Sequence, residues 1–324
     1  MTASVDPQGP KLTGTPNNPI PERARAGYFT TSDKVRLRYA RWPKGTGPQR
    51  GTVCLVQGRT EYIEKYFETI ADFQKRGFHV ATFDWRGQGG SDRLIGNRHL
   101  GYVDNFDDYW TDLRCFHAEI LLPDCPPPYY LVGHSMGGLV SLHAATRDRM
   151  MFDRVFLSAP MVSLYRMEES MPRLMVLAET LSFLGLGRVP LARKGDRRPD
   201  EAMFPNNPLT GDVKRYARMV ESIRADDGLY IGSPTFRWLG AAMRAMLAAK
   251  RDSFPGEIKI PLLVLAAARD SIVSTPAIED LGLRLRNGRH MVIPGGRHEL
   301  FMETDAIRGQ VLAAFDAFIT EQTR

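Results

Sequence analysis

Cysteine is scarce in this chain of 324 residues, which holds only Cys54, Cys115 and Cys125. An odd count with no paired spacing excludes a disulfide framework and fits a reducing compartment. Cys54 lies inside an apolar run and reads as a small buried hydrophobe. Long hydrophobic runs are missing as well: none approaches the roughly 20 residues needed to span a bilayer. The first residues carry prolines, polar groups and scattered charges without the apolar stretch of a secretion signal. That predicts a flexible N-terminal tail over 1–26 and a cytoplasmic chain. Clustered basic charge is absent too. The net charge of +6 is dispersed, with no basic helix and no aromatic-interleaved patch, which excludes nucleic acid as a partner. Charge of this kind points instead to peripheral contact with an anionic membrane, at its inner face. Internal repeats and low-complexity tracts are also lacking.

What remains has the 43% hydrophobic and 25% charged content of an ordinary soluble globular protein. The most informative stretch is Gly133-His134-Ser135-Met136-Gly137. It follows the apolar run Tyr129-Tyr130-Leu131-Val132 and opens a helix-like segment from Gly138 to Arg147. This is the pattern of a nucleophile elbow, a strand-turn-helix corner in which the serine backbone is strained and its neighbours must lack side chains.

The rest of the chain supplies a scaffold for such a corner. An alternating hairpin is predicted over Gly27 to Trp42, and then strands and helices alternate. Strands are expected at Thr52–Val56, Phe78–Phe83, Val155–Leu157, Leu262–Ala266 and His290–Ile293. Helices are expected at Glu61–Arg76, Asn105–Leu122 (stopped by Pro123), Ala277–Leu285 and Phe301–Ile319. This rhythm predicts an α/β class, a mostly parallel sheet covered by helices on both faces. It breaks between about Met161 and Phe254. Eight of the 14 methionines fall between Met161 and Lys250, together with an arginine-rich turn at Arg193 to Arg198. The domain reading is therefore a tail (1–26), a first part of the core (27–160), an inserted helical cap (161–254) and a second part of the core (255–324). Flexible methionines suit a pocket for apolar chains of variable shape; alternatively they fill the small core of the cap itself.

A serine hydroxyl is a weak nucleophile and needs a base within hydrogen-bond reach and an acid behind the base. Asp270 follows the strand Leu262–Ala266, and His298 follows His290–Ile293. Ser135, Asp270 and His298 thus fall on three strand-end loops in the chain order this corner calls for. Asp84, at another strand end, is the rival acid. Two amides are expected to face the developing oxyanion: that of Met136, after the serine, and that of Arg59, in the loop Gln57-Gly58-Arg59-Thr60, where Gly58 permits a tight turn. The Arg59 side chain is either a receptor for an anionic group or a solvated surface arginine.

The segments Gln57-Gly58-Arg59-Thr60-Glu61 with Lys65-Tyr66, Asp84-Trp85-Arg86-Gly87-Gln88-Gly89, Gly133 to Gly138, Ala159-Pro160-Met161 and Gly296-Arg297-His298-Glu299-Leu300 resemble the bacterial lysophospholipase and monoacylglycerol lipase group of α/β-hydrolases. The resemblance runs from about Gly27 to the C-terminus and is weakest in the cap. It implies an α/β-hydrolase fold and a serine esterase with Ser135 as nucleophile, Asp270 as acid and His298 as base. It also implies a lipid or small-molecule ester substrate, no cofactor and no metal. Gln57, Tyr62 and Gln88 stand where the family has histidines. A carboxylesterase for small soluble esters and a non-catalytic binding protein on the same fold are the alternatives. The complete set of three residues argues against the second, since binding requires none of them.

Overall fold

The computed structural model describes residues 9–192 and 198–320. Among these, eight strands form one sheet in the order β1-β2-β4-β3-β5-β6-β7-β8. β1 (Arg25–Thr30) and β2 (Arg36–Trp42) are an antiparallel hairpin, and β2 also runs antiparallel to β4 (His79–Phe83). All further pairings are parallel, through β3 (Thr52–Val56), β5 (Tyr129–His134), β6 (Arg154–Ser158), β7 (Leu262–Ala267) and β8 (Gly288–Ile293).

β3 and β7 are buried along their whole lengths, as strands covered on both faces must be. Their residues alternate between two cores. Cys54 and Val56 join Leu131, Leu157 and Val264 on one face. Val53 and Leu55 join Val132, Phe156 and Leu265 on the other. The first core is closed by α2 (Asp107–Phe116), α4 (Ser135–Arg147) and α9 (Thr275–Arg284). The second is closed by α1 (Phe67–Lys75) and α10 (Asp305–Thr320), whose Phe73 and Phe315 rings meet edge to face at 4.9 Å. After α2 the chain stays helical through a wider turn into α3 (Leu122–Asp124). The helical stretch ends at Asp124, one residue past Pro123, and Cys125 is extended.

Between β6 and β7 run α5 (Met171–Leu181), α6 (Val213–Ala225), α7 (Phe236–Ala249) and the short α8 (Phe254–Glu257). Met171, Met243 and Met246 are buried in the same core as α4, and Met219 sits in a small cluster with Tyr62, Tyr216 and Val220. These methionines fill interior space. Of the arginine-rich turn expected at 193–198, residues 193–197 lie outside the described residues.

The flexible tail expected over 1–26 needs correction from residue 9 onward. Thr13 N–H donates to Glu64 Oε1 (3.2 Å), Asn18 Nδ2 donates to the Glu64 carbonyl (2.8 Å), and Arg38 Nη1 donates to the Lys11 carbonyl (3.1 Å). Trp42 Nε1 reaches the Pro21 carbonyl at 3.2 Å, and Arg25 and Ala26 already belong to β1. A polar, proline-rich segment therefore packs largely through backbone groups that find partners on the core, with Leu12 and Ala24 lying against the second core.

Gly137 is where β3 and α4 touch. A Cβ there would lie 2.5 Å from the Gln57 carbonyl oxygen and 2.6 Å from that of Val56, both backbone atoms that cannot swing aside. Gly137→Ala is expected to lower stability by about 1–3 kcal/mol, the usual cost of overpacking. In urea unfolding this should appear as a fall in the midpoint with an unchanged slope.

Candidate active site

β5 delivers its chain directly into α4, and the residue at the junction is Ser135, with φ of 49°. A left-handed backbone costs a non-glycine residue on the order of 1–3 kcal/mol and persists only where its surroundings enforce it. Here Gly137 lets α4 start flush against β3, and the Ser135 carbonyl accepts the Met161 N–H at 2.9 Å, which ties the corner to the end of β6. Ser135 keeps 7% of its surface exposed, so the corner is buried rather than on the outside.

The loops after β7 and β8 meet at this hydroxyl. His298 Nε2 lies 3.0 Å from Ser135 Oγ, and His298 Nδ1 lies 2.8 Å from Asp270 Oδ2. The other oxygen of Asp270 accepts the Ile272 and Val273 amides at 2.8 and 3.0 Å, which fixes the carboxylate plane. Burial pushes the Asp270 carboxyl up, but the His298 hydrogen bond and those two amides outweigh it and hold the group below its ordinary value. Asp84 is engaged elsewhere: it binds Arg38 at 2.6 Å and accepts from the amides of Ile63 and Gly90 at 3.0 and 2.7 Å. His134, in the elbow, turns away to the Ser158 carbonyl at 3.0 Å. Its pKa is lowered to about 4, chiefly by burial, so it is neutral.

The loop Gln57–Thr60 lies across the corner. Gly58 serves close approach rather than a tight turn: a Cβ there would stand 3.1 Å from Ser135 Cβ and 3.2 Å from His134 Cδ2, and the left-handed residue of this loop is Thr60, with φ of 67°. The Gly58 N–H is taken by Glu61 Oε2 at 2.5 Å. The Arg59 amide, among the described residues, donates to no protein acceptor. The Met136 amide lies in the first turn of α4, where N–H groups have no partner inside the helix. Both expected donors thus belong to segments that touch Ser135.

Sequence reasoning missed what holds this loop. Gln88 clamps it twice, accepting the Thr60 N–H at 3.0 Å and donating to the Gly58 carbonyl at 3.2 Å, while Trp85 Nε1 donates to the Gln57 carbonyl at 2.8 Å. Tyr62 donates to the Met219 carbonyl on α6 at 3.0 Å. Two of the three positions where the resemblance implied histidine therefore carry bracing side chains. The Gln57 amide is buried without a hydrogen-bond partner among the described residues.

A mostly parallel sheet in which one strand enters its helix through a left-handed serine is the architecture of an α/β-hydrolase. The chain belongs to the family described as serine aminopeptidase, S33, which it matches over residues 47–305. It is similar to lysophospholipase L2 of Escherichia coli, 31% identical over 301 residues that cover 90% of this chain and 86% of that one. Similarity to the probable lysophospholipase L2 of Haemophilus influenzae is 27% over 305 residues, covering 94% and 95%. Among solved structures, a soluble variant of monoglyceride lipase from Saccharomyces cerevisiae, in complex with a substrate analog, aligns with a TM-score of 0.72 at 20% identity. That alignment covers 91% of this chain and 95% of that one and shows a shared fold.

A buried ion cluster joins the two loops that face Ser135. Lys65 Nζ lies 2.9 Å from Glu61 and 2.6 Å from Glu299, and Tyr66 OH donates to Glu61 at 2.8 Å. Burial pushes Glu61 up, but Lys65 foremost pulls it below its ordinary value, to about 2. Glu299 is also pushed up by burial, and it stays raised because the Glu61 charge works against the pull of Lys65. Removing the cation should leave two buried carboxylates uncompensated, so Lys65→Met is expected to cost about 3–5 kcal/mol in denaturant unfolding. The pH dependence has a definite sign. A carboxyl depressed on folding contributes stability that is present above its unfolded value and is lost as pH falls through the folded one. The stability difference between wild type and Glu61→Gln should therefore shrink from about pH 4.5 down toward 2.

Proposed function

We propose that this protein hydrolyses carboxylic esters of lipids, of the lysophospholipase or monoacylglycerol lipase type, through an acyl-enzyme on Ser135. The hydrogen-bonded line from Asp270 through His298 to Ser135 carries this reading. Asp270 keeps the proton of the imidazole on Nδ1, so Nε2 is free to take the Ser135 proton as Oγ attacks the ester carbonyl. The carbonyl oxygen gains charge between the Met136 and Arg59 amides and the start of α4. Collapse expels the alcohol, which takes its proton from His298. Water, deprotonated by the same nitrogen, then attacks the acyl carbon, releasing the fatty acid and returning the proton to Ser135.

The family description names a peptidase, and a site for a peptide amino terminus needs a carboxylate to receive the cation. Asp270 is bound to His298, and the carboxylates of Glu61 and Glu299, on the two loops at the corner, are held by Lys65. Arg59, on the loop that crosses the corner, makes no ion pair among the described residues and suits an anionic lipid better than an amine.

A lipid substrate also gives a role to the end of α5. Phe183 is 90% exposed and Leu184 65%, beside the exposed Val176, Leu177 and Leu186. Apolar area of this kind marks a contact surface. In this reading the α5 end, in the inserted segment proposed as a cap, rests on the surface of an anionic membrane. No helix among the described residues is long and apolar enough to cross a membrane.

Ser135→Ala should lower kcat on ordinary esters by about 10³ or more and abolish labelling by a fluorophosphonate probe. Asp270→Asn should impair the same step far more than Asp84→Asn, compared between folded variants. Equal labelling of wild type and Ser135→Ala would remove the nucleophile assignment. Phe183→Ser with Leu184→Ser should reduce co-sedimentation with anionic vesicles several-fold while sparing hydrolysis of a water-soluble ester.

A further inference from the structure

The buried arginines of this fold are matched to carboxylates: Arg38 to Glu64 and Asp84, Arg86 to Asp33 and Asp112, Arg215 to Glu68, and Arg308 to Asp72. Arg93 and Arg297 instead spread their N–H groups over backbone carbonyls: Gly89, Ser91, Arg98 and Gly228 for the first, Asn207 and Thr210 for the second. Arg59 has neither arrangement. Among the described residues it makes no ion pair, and its guanidinium gives one hydrogen bond, from Nη1 to the Gly232 carbonyl at 2.9 Å. Its Cζ sits 5.3 Å from the centre of the Trp238 ring, and that ring is fixed in turn by Nε1 donating to Tyr109 OH at 3.0 Å. Burial lowers the Arg59 pKa to about 10, which still leaves it charged at neutral pH. A planar cation stacked on an aromatic face, with most of its donors unused, is prepared for an oxyanion with several acceptors.

Its place in the loop selects the oxyanion. Arg59 follows Gly58, which packs against Ser135, so in the esterase reading its backbone N–H faces the reacting carbonyl and its guanidinium lies one side-chain length away. In a 1-acyl glycerophospholipid, as many bonds separate the ester carbonyl carbon from phosphorus as separate an arginine's backbone nitrogen from its Cζ. We propose that the Arg59 guanidinium is the receptor for the headgroup phosphate and makes the site selective for monoacyl glycerophospholipids over uncharged monoacylglycerols. This rests on the lipid-esterase reading and narrows its substrate. A monoacylglycerol offers only a hydroxyl there and leaves the cation without a counter-charge.

The rival role is structural, with Arg59 strapping the segment around Gly232 to the loop. Steady-state kinetics on lysophosphatidylglycerol and monoacylglycerol of the same acyl chain separate the two. The wild type should favour the phospholipid. Arg59→Gln should lower the ratio of the two kcat/KM values by about 10- to 100-fold, mostly through KM for the phospholipid, the range a charge-assisted hydrogen bond supplies. Arg59→Lys should restore part of that ratio, since it keeps the charge but not the fork. Equal losses on both lipids would assign the side chain to the strap and overturn the proposal. Calorimetric titration of glycerol phosphate into Ser135→Ala needs neither turnover nor a change at Arg59. Binding is expected there and should disappear in the double variant with Arg59→Gln; no binding, or equal binding in both, overturns the receptor. A wild type that hydrolyses neither lipid, yet binds glycerol phosphate through Arg59, would remove the esterase reading and keep the anion site.

Discussion

Lys65 is the residue through which the two halves of the site are set against each other. It sits on the turn leading into α1, yet its ammonium is shared between Glu61, after the loop that crosses the corner, and Glu299, directly after His298. The loop and the histidine are thus referred to one buried point, although 234 positions separate Lys65 from Glu299. A buried ion cluster contributes little to net stability, since desolvation consumes most of its Coulombic gain. What it supplies is registry. If the two loops moved independently by a fraction of an ångström, the hydrogen bond between His298 and Ser135 and the packing of Gly58 against Ser135 could not both be kept.

Strain at Ser135 is carried by the same economy of contacts. The left-handed corner persists because Gly137 lets α4 press on the ends of β3 and the Ser135 carbonyl is caught by Met161. One consequence is that the ends of β3, β5 and β6 are mutually fixed where the chemistry would occur. Most of the sheet lies behind them as a rigid support with two separate cores.

How much of this is legible in the sequence follows the range of the interactions. The strands and their helices are local patterns, and the elbow is a contiguous motif. Asp270 and His298 are found because they follow strands whose ends must lie on one edge. The bracing is not legible. Gln88 reaches Thr60 and Gly58 by hydrogen bonds to backbone, which any polar side chain of suitable length could make, so composition carries no trace of them. Glu61 and Lys65, an i,i+4 pair of opposite charge, do leave a local signal, but the same spacing usually marks a solvated helix face. Residues 9–26 mislead for a similar reason. Much of their anchoring is hydrogen bonding to Glu64 and Arg38, and hydropathy does not register it.

The inserted segment is anchored unevenly. α6 is tied to α1 by Arg215 and Arg218 on Glu68 and to the corner loop through Tyr62, whereas the end of α5 carries exposed apolar side chains. The two parts therefore differ in how freely they can change over generations. Substitutions in α6 would be felt at Ser135 and removed by selection, while the α5 end can drift, lengthen or be exchanged with little effect on the chemistry. New preferences for the physical form of the substrate, dispersed or packed in a surface, are thus open to this chain through α5 without any renegotiation of the reacting groups.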